Sequence, residues 1–304
     1  YRENPKALKK VFLNNVNSFH GIAIVQKIIS ENSKASENLF EICGTRKKTL
    51  ENDQILIPKE VEILHPESDS FFDSIISCDF ILLDISDDFQ TAKSFVKHFE
   101  TELENSKIIE EKFLILLSTI MTWARTPQQG EILTDLNYRK RRPHPCFTNH
   151  LILERDVINL SKKYKNFVSS LVVCPGIIYG GQQDIFHFMY KKCYFNNHQI
   201  DIFAPGTNHL PIINLDDFAR IILLIIRNFP DPSFPYIFAI QPEPMSALSI
   251  ARNLCEAAGG SNMRIKICQR DEIFLMNEEL MTVRNFFVEI LRKIKNNFPA
   301  KSFQ

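Results

Sequence analysis

The feature that most constrains the fold is an alternation of short apolar runs with amphipathic segments. Phe80–Asp84 and Phe113–Ser118 are apolar almost throughout, as expected of strands that are buried on both faces of a sheet. His20–Ser30 and Thr91–Glu104 instead carry apolar residues at the three- and four-residue spacing of a helix. Strands that alternate with helices predict an α/β fold with a doubly wound parallel sheet, the Rossmann-like class.

The same pattern continues to the end of the chain. Further strands are predicted at Lys10–Asn14, Leu39–Cys43, Glu60–Leu64, Val168–Cys174, Tyr236–Ile240 and Arg264–Cys268. Further helices are predicted at 145–165, Asp216–Asn228, Ser246–Ala258 and Asp271–Asn297. We therefore predict a Rossmann-like, nucleotide-binding-type domain at 1–175. At 176–304 we predict the remaining sheet elements and a small C-terminal, substrate-type lobe with terminal helices.

Composition and charge exclude several classes of partner. Lys and Arg total 36 and Asp and Glu total 36, so there is no electrostatic case for nucleic acid or an anionic membrane as a partner. The longest apolar stretch, Ile221–Ile226, is too short to span a bilayer. Seven cysteines without a Cys-x-x-Cys pair are typical of a reducing compartment. Because the sequence begins with Tyr1 rather than Met, we expect a segment of a longer protein.

Three motifs in the second half indicate a family. Cys174–Gly180 contains Pro-x-x-x-Tyr-Gly after a predicted buried strand, Thr207–Arg220 leads from a strand into a helix, and Glu243–Ile250 places a Ser before a helix. In this order they resemble the extended short-chain dehydrogenases, a family of NAD(P)-dependent reductases and epimerases. The resemblance implies an extended short-chain dehydrogenase type of Rossmann-like fold.

The phosphate-binding turn departs from that family. The three positions of its Gly-x-x-Gly-x-x-Gly motif carry Asn15, Ser18 and Gly21. Asn tolerates a positive φ, so the turn is expected to persist, but the Asn15 and Ser18 side chains are expected to occupy pyrophosphate space. Helix–strand packing alone explains Gly21. Arg46 could contact a phosphate, although a solvated loop cation is the plainer interpretation. No cofactor is expected, with NAD(P) as the alternative.

The catalytic positions also depart from the family, which uses a Tyr-x-x-x-Lys pair and a nearby hydroxyl. Thr119 falls on the hydroxyl position, and counting back from Glu154 places Cys146 on the Tyr and His150 on the Lys. No catalytic residue is therefore expected. A reactive Cys146 thiol near a helix start and a zinc site that adds His144 are alternatives. The zinc set lacks a fourth ligand, so no metal is expected, and the plain interpretation is a helix start that packs on the sheet edge.

Two runs point to a narrower group. Ser118–Ala124 reads Ser-Thr-Ile-Met-Thr-Trp-Ala, and Tyr138–Pro145 reads Tyr-Arg-Lys-Arg-Arg-Pro-His-Pro. Both resemble the N-terminal region of the ciliary adenylate kinase 7 family, in which a dehydrogenase-like domain precedes a kinase domain. That resemblance implies an axonemal location in the cilium and axonemal protein partners. The chain has no Gly-x-x-x-x-Gly-Lys phosphate loop of its own.

Three functional hypotheses follow from the sequence. The first is a non-catalytic, dehydrogenase-like structural or docking module of an axonemal protein. The second is an active NAD(P)-dependent reductase or epimerase, and the third is the anchor of a nucleoside-phosphate kinase whose kinase domain lies outside the segment. The basic run Arg139–Arg142 is by default a solvated loop and alternatively a contact for an acidic partner.

Overall fold

The computed structural model describes most of the chain. The described residues are 8–35, 38–47, 56–86, 88–127, 133–181, 186–195, 199–243, 245–258 and 264–269. The predicted terminal helix Asp271–Asn297 lies outside them.

Strands and helices alternate along the described part of the chain. The strands are β1 Lys9–Leu13, β2 Phe40–Gly44, β3 Val61–Ile63, β4 Phe80–Asp84, β5 Lys112–Leu117, β6 Val168–Pro175, β7 Ile177–Tyr179, β8 Gln199–Phe203, β9 His209–Leu210, β10 Ile212–Asn214, β11 Tyr236–Ala239, β12 Met245–Ser246 and β13 Arg264–Cys268. The α-helices are α1 Phe19–Asn32, α2 Phe71–Ile76, α3 Phe89–Glu104, α4 Thr148–Lys163, α5 His187–Tyr194, α6 Leu215–Arg227 and α7 Ala247–Ala257. Three short 3₁₀ turns lie at Ile120–Trp123, Asp135–Lys140 and Pro145–Phe147.

A seven-stranded sheet organises the fold, with the strand order β11-β6-β5-β4-β1-β2-β3. The strands from β6 to β3 pair in parallel, and β1 places Val11 beside Ile42 of β2 and Phe80 of β4. The chain moves outward in one direction from β1 to β3 and in the other from β4 to β6. The predicted doubly wound α/β fold is thereby confirmed.

The core of the sheet explains why these segments became strands. All five residues of β4 and all eight of β6 are buried, so both strands have apolar contacts on two faces. Helices α1 and α6 pack together, and two ion pairs join them on the surface: Lys27 with Asp216 at 2.6 Å and Arg227 with Glu31 at 2.5 Å. Burial supplies the stability, since exposed ion pairs contribute little.

The chain divides into two compact units that alternate along the sequence. The first comprises the described residues up to Thr119, with 148–174 and 215–237, and it holds most of the sheet. The second comprises 120–147, 175–214 and the described residues from 238 onward. In the second unit, α5 and α7 pack against β8 around buried apolar residues that include Met189, Ile200, Ile202 and Cys255. The single predicted boundary after residue 175 differs from this division and stays a prediction.

The sequence analysis did not predict several of the short helices and strands. Helices α2 and α5 and the strands β7, β8, β9 and β12 have eight residues or fewer, too few for a periodic pattern to be distinctive. None of the helices in the described part of the chain combines the length and apolar character that a membrane span requires.

A substitution at Gly44 can test how tightly the end of β2 is packed. A Cβ atom added there would lie 2.2 Å from the Leu13 carbonyl oxygen and 2.4 Å from Val16 Cγ1. We expect Gly44→Ala to lower the free energy of unfolding by about 1–3 kcal/mol, because backbone and core must shift to admit the methyl group. Urea unfolding followed by circular dichroism measures this. Glu62→Ala on the neighbouring strand, where the side chain is exposed, is the matched control; equal effects of the two variants would contradict the packing argument.

Candidate functional site

The candidate site lies where β1, β2 and β4 end. In open parallel sheets, ligands bind at the carboxyl edge where the strand order reverses, and here that reversal falls between β1 and β4. The segments that follow these strands all belong to the first compact unit.

Asn14 joins the ends of β1 and β4. Its side chain is fully buried; Nδ2 donates to the Asp84 carbonyl oxygen at 3.0 Å, and Oδ1 accepts from the Asp84 backbone N–H at 2.5 Å. One amide thereby satisfies both backbone groups of a residue 70 positions away. The side chain directly after β1 thus links the two strand ends at the reversal point.

Asn15 forms the turn that leads into α1. Its φ of 54° lies in the left-handed region, which Asn tolerates better than most residues. Its backbone N–H donates to Thr45 Oγ1 at 2.9 Å, and its carbonyl oxygen accepts from the Ser18 N–H at 2.9 Å. The side chain is only 2% exposed, and its buried Nδ2 has no hydrogen-bond partner. The Asn15 side chain therefore packs into the protein.

Asn17 ties the same loop to the segment after β2. Its Oδ1 accepts from the Lys47 N–H at 2.8 Å, and its Nδ2 donates to the Lys47 carbonyl oxygen at 3.1 Å. This arrangement repeats that of Asn14, with one side-chain amide pairing with both backbone groups of a distant residue. Arg46, the suggested phosphate contact, is exposed on the segment that this pair holds.

Ser18 and Gly21 start the helix. Ser18 is the N-cap, and its Oγ accepts from the Gly21 N–H at 2.9 Å. A Cβ on Gly21 would lie 2.4 Å from the Asn15 carbonyl oxygen, so only glycine allows this close approach. Both residues have a local structural role at the positions that the dehydrogenase motif assigns to glycine.

Asp84 carries the buried charge of the site and is 2% exposed. Its Oδ2 lies 3.3 Å from His20 Nδ1, and its Oδ1 accepts from the Ser86 N–H at 2.9 Å and from the Ser86 hydroxyl at 2.6 Å. Burial would raise the pKa of Asp84, but the interactions with His20 and Ser86 outweigh it and hold the pKa below its usual range. The carboxylate is therefore ionised at neutral pH.

The three positions that the family resemblance assigns to catalysis are divided between the two compact units. Thr119 is partly buried after β5, and His150 is partly buried in the first turn of α4, both in the first unit. His150 Nε2 lies 3.0 Å from the Ile85 carbonyl oxygen, and its ring centroid is 4.7 Å from that of Phe89. Burial lowers the pKa of His150. Cys146 is exposed in the 3₁₀ turn before α4 and belongs to the second unit.

Glu154, from which the catalytic positions were counted, and His144, the suggested zinc ligand, are both buried. Glu154 is fully buried on α4, and the Ser118 hydroxyl at the end of β5 donates to Glu154 Oε1. His144 is buried and accepts the Cys146 backbone N–H at Nδ1, 3.4 Å away. Within the described residues, no group of three or more His, Cys, Asp or Glu side chains could hold a metal ion. The assignments of Thr119, Cys146 and His150 stay predictions.

Several backbone N–H groups of the turn after β1 are bonded within the chain. A pyrophosphate cradle presents free backbone N–H groups. Here the N–H groups of Asn15, Val16 and Ser18 donate to Thr45 Oγ1, the Thr45 carbonyl oxygen and the Asn15 carbonyl oxygen, and that of Gly21 donates to Ser18 Oγ. Four backbone N–H groups of the turn are therefore paired within the chain.

Sequence reasoning did not identify the buried polar residues that form hydrogen bonds at this edge. Asn14, Asn17, Thr45 and Asp84 are buried there, and His20 faces Asp84. Two signals were present in the sequence: consecutive Asn residues directly after β1 and an acid that ends an otherwise apolar strand. Neither signal reveals its partner, because each contact joins residues about 30 to 70 positions apart.

Comparison with known proteins shows a relationship in sequence. No family model matches the chain. Adenylate kinase 7 from Mus musculus is 32% identical over 237 residues, which cover 74% of this chain and 38% of the mouse protein. Adenylate kinase 7 from Macaca fascicularis is 23% identical over 153 residues, covering 49% of this chain and 28% of that protein. The chain thus spans well under half the length of the curated relatives it matches, and the resemblance to adenylate kinase 7 is confirmed.

Comparison with solved structures shows the fold. UDP-glucose 4-epimerase from Thermus thermophilus, in complex with NAD, aligns with a TM-score of 0.63 and 13% identity over 94% of this chain and 97% of that one. dTDP-glucose 4,6-dehydratase from Bacillus anthracis, also in complex with NAD, aligns with a TM-score of 0.64 and 12% identity, over 94% and 95% of the two chains. At such low identity the likeness establishes the epimerase/dehydratase-like fold alone.

The pair between Asn14 and Asp84 is expected to be a large source of stability. Asn14→Ala leaves two buried backbone groups of Asp84 without their partners, and each such loss costs about 1–3 kcal/mol. We expect a decrease of about 2–4 kcal/mol in the free energy of unfolding, measured by urea denaturation. Asn149→Ala removes an exposed Asn from α4 and should change stability by less than about 0.5 kcal/mol. An Asn14→Ala effect as small as the control would disprove this role.

Asp84 is expected to make the fold sensitive to acid. Its folded-state pKa is lowered, so its stabilising effect is present above the unfolded-state pKa of about 3.9 and is lost as pH falls through the folded value. Asp84→Asn should lower stability at neutral pH and flatten the loss of stability below about pH 4. Unfolding free energies measured from neutral to acidic pH test this. Asp69→Asn, on an exposed loop, is the control; parallel acid profiles for wild type and Asp84→Asn would contradict the assignment.

Proposed function

We propose that this chain, a relative of adenylate kinase 7 with an epimerase/dehydratase-like fold, is a non-catalytic structural and docking module of an axonemal protein of the cilium. The observation that carries the proposal is the set of hydrogen bonds within the chain at the carboxyl edge of the sheet. There, the Ser18 hydroxyl at a glycine position and the His150 ring at the lysine position form hydrogen bonds within the chain, and the Asn15 side chain at another glycine position is buried.

The phosphate turn supports the proposal through its hydrogen bonds. Asn14 holds the backbone of Asp84, and Ser18 caps α1 with its own hydroxyl group. A dinucleotide would have to compete with these internal bonds, and leaving the buried groups unpaired is costly. The loop therefore has a structural role that is complete without a cofactor.

The neutral state of the His150 ring supports the proposal. The resemblance assigns its position to a lysine whose ammonium lowers the pKa of a tyrosine and holds a ribose. Burial lowers the pKa of His150 from its usual value, so the imidazole is neutral at neutral pH. A neutral ring that faces the Ile85 carbonyl oxygen does not replace that cation, and an exposed Cys146 thiol does not replace a tyrosine hydroxyl.

The proposed location in the cilium and the proposed axonemal protein partners rest on the relationship to adenylate kinase 7. The runs Ser118–Ala124 and Tyr138–Pro145 carried that resemblance in the sequence. The 304 residues contain no Gly-x-x-x-x-Gly-Lys loop, so a kinase activity of a longer protein would come from outside them, with this segment as its anchor. A working NAD(P)-dependent reductase or epimerase is the alternative, favoured by the fold shared with the two NAD complexes.

Cofactor binding decides between these functions. We expect NAD, NADH, NADP and NADPH at about 1 mM to raise the melting temperature by less than about 1 °C. A ligand at about 100 times its Kd would stabilise the folded state by about 2.7 kcal/mol, which corresponds to a shift of several degrees. Differential scanning fluorimetry and isothermal calorimetry measure the response.

The Thermus thermophilus epimerase, whose structure contains NAD, is the positive control in the same buffers. A saturable shift or a calorimetric isotherm with any of the four dinucleotides would overturn the non-catalytic function. It would favour the reductase or epimerase alternative.

A further inference from the structure

Four exposed cationic side chains lie on two adjacent segments of the second unit, and we call them the basic surface: Arg125, Arg139, Lys140 and Arg142. The segments are adjacent because the Arg125 N–H donates to the Arg142 carbonyl oxygen at 3.0 Å. The Arg142 N–H in turn donates to Thr126 Oγ1 at 2.9 Å. Backbone pairing thus places like charges side by side.

The basic surface is held in a defined conformation. The Thr134 N–H donates to Asn137 Oδ1 at 2.9 Å and starts the 3₁₀ turn Asp135–Lys140. The guanidinium groups of Arg139 and Arg141 each lie 5.6 Å from the centre of the Tyr138 ring. Arg141 is 3% exposed and donates to the Tyr138 carbonyl oxygen. An ordered loop loses less conformational entropy when a partner binds than a disordered one.

The cations of the basic surface have no acidic partner in the described part of the chain, unlike Lys27, Lys163 and Arg227, which form ion pairs with Asp or Glu. Other exposed cations, such as Lys93 and Arg155, also form no ion pair, but they lie on helices and are not brought together by backbone pairing as Arg125 and Arg142 are. Among the described residues, no carboxylate lies within ion-pair distance of Arg125, Lys140 or Arg142. Arg139 donates to the Tyr138 hydroxyl at 3.2 Å. Like charges held together without counter-charges favour an anionic partner.

We propose that the basic surface binds an Asp- or Glu-rich peptide segment of a protein partner, a proposal that rests on the docking role proposed above. Arginine guanidinium groups bind carboxylates in a two-pronged geometry that lysine lacks. Leu136, which is 72% exposed beside the cations, adds the apolar contact that protein interfaces use.

A nucleic acid fits the basic surface less well. Single strands bind where aromatic rings are open for base stacking, and the Tyr138 ring is already contacted by two guanidinium groups. An acidic peptide needs only a local match of charges.

The test uses the 304-residue chain and a fluorescein-labelled decaglutamate peptide in fluorescence anisotropy. The triple variant Arg139→Gln, Lys140→Gln, Arg142→Gln should bind about tenfold more weakly at low salt, since an exposed ion pair is worth up to about 1 kcal/mol. The variant Arg139→Lys, Arg142→Lys keeps the charge but loses the two-pronged geometry, so it should bind more weakly than the wild type and more tightly than the triple Gln variant. Wild-type binding should weaken as salt rises.

The matched control removes three exposed cations from the first unit: Lys93→Gln, Lys97→Gln, Arg155→Gln. It changes the net charge equally and should bind like the wild type. Equal losses in both triple variants, or no binding by the wild type, would overturn the proposal. Tighter binding of a labelled oligonucleotide or of anionic vesicles than of the peptide would also overturn it. Dinucleotide binding with intact peptide binding would instead overturn only the non-catalytic function.

Discussion

The contact on which the first unit depends is the pairing of the Asn14 side chain with the backbone of Asp84. It lies at the reversal of strand order, where β1 and β4 end together and where their last backbone groups need partners. In sheets of this class, ligands bind in the crevice at that edge. Here one buried amide satisfies both groups, and the Asp84 carboxylate is then free to face His20 and Ser86.

Further hydrogen bonds hold the other loops at this edge of the sheet. With the end of β4 fixed, the turn after β1 is held on its other side by Thr45 and by the Asn17–Lys47 pair. Gly21 is the one position where the family glycine is retained, because the helix touches the Asn15 carbonyl there. Loss of the other two glycines is compatible with the fold, since Asn15 adopts the left-handed conformation and Ser18 becomes the helix cap.

The sheet was predictable from sequence because its signal is local. Runs such as Phe80–Asp84 are apolar regardless of their neighbours, and their boundaries agree with β4 and its counterparts. The site was not predictable to the same depth. The replacement of glycines by Asn15 and Ser18 was visible, but the partners of Asn14 and Asp84 are set by sheet register over 70 residues. His150 shows the same limit, since burial decides its charge and no sequence pattern reports burial at a helix start.

Hydrogen bonds within the chain at the carboxyl edge affect which polar groups are available for function. The buried side chains of Asn14, Asn17 and Asp84 at this edge are paired within the chain, which stabilises the fold. The exposed cations of 125–142 have not been neutralised in that way, although the chain as a whole is neutral. For the non-catalytic module that we propose, selection would no longer keep a pocket open but would still require the chain to remain folded. An ordered charged loop on such a fold can specialise in protein binding without disturbing the sheet.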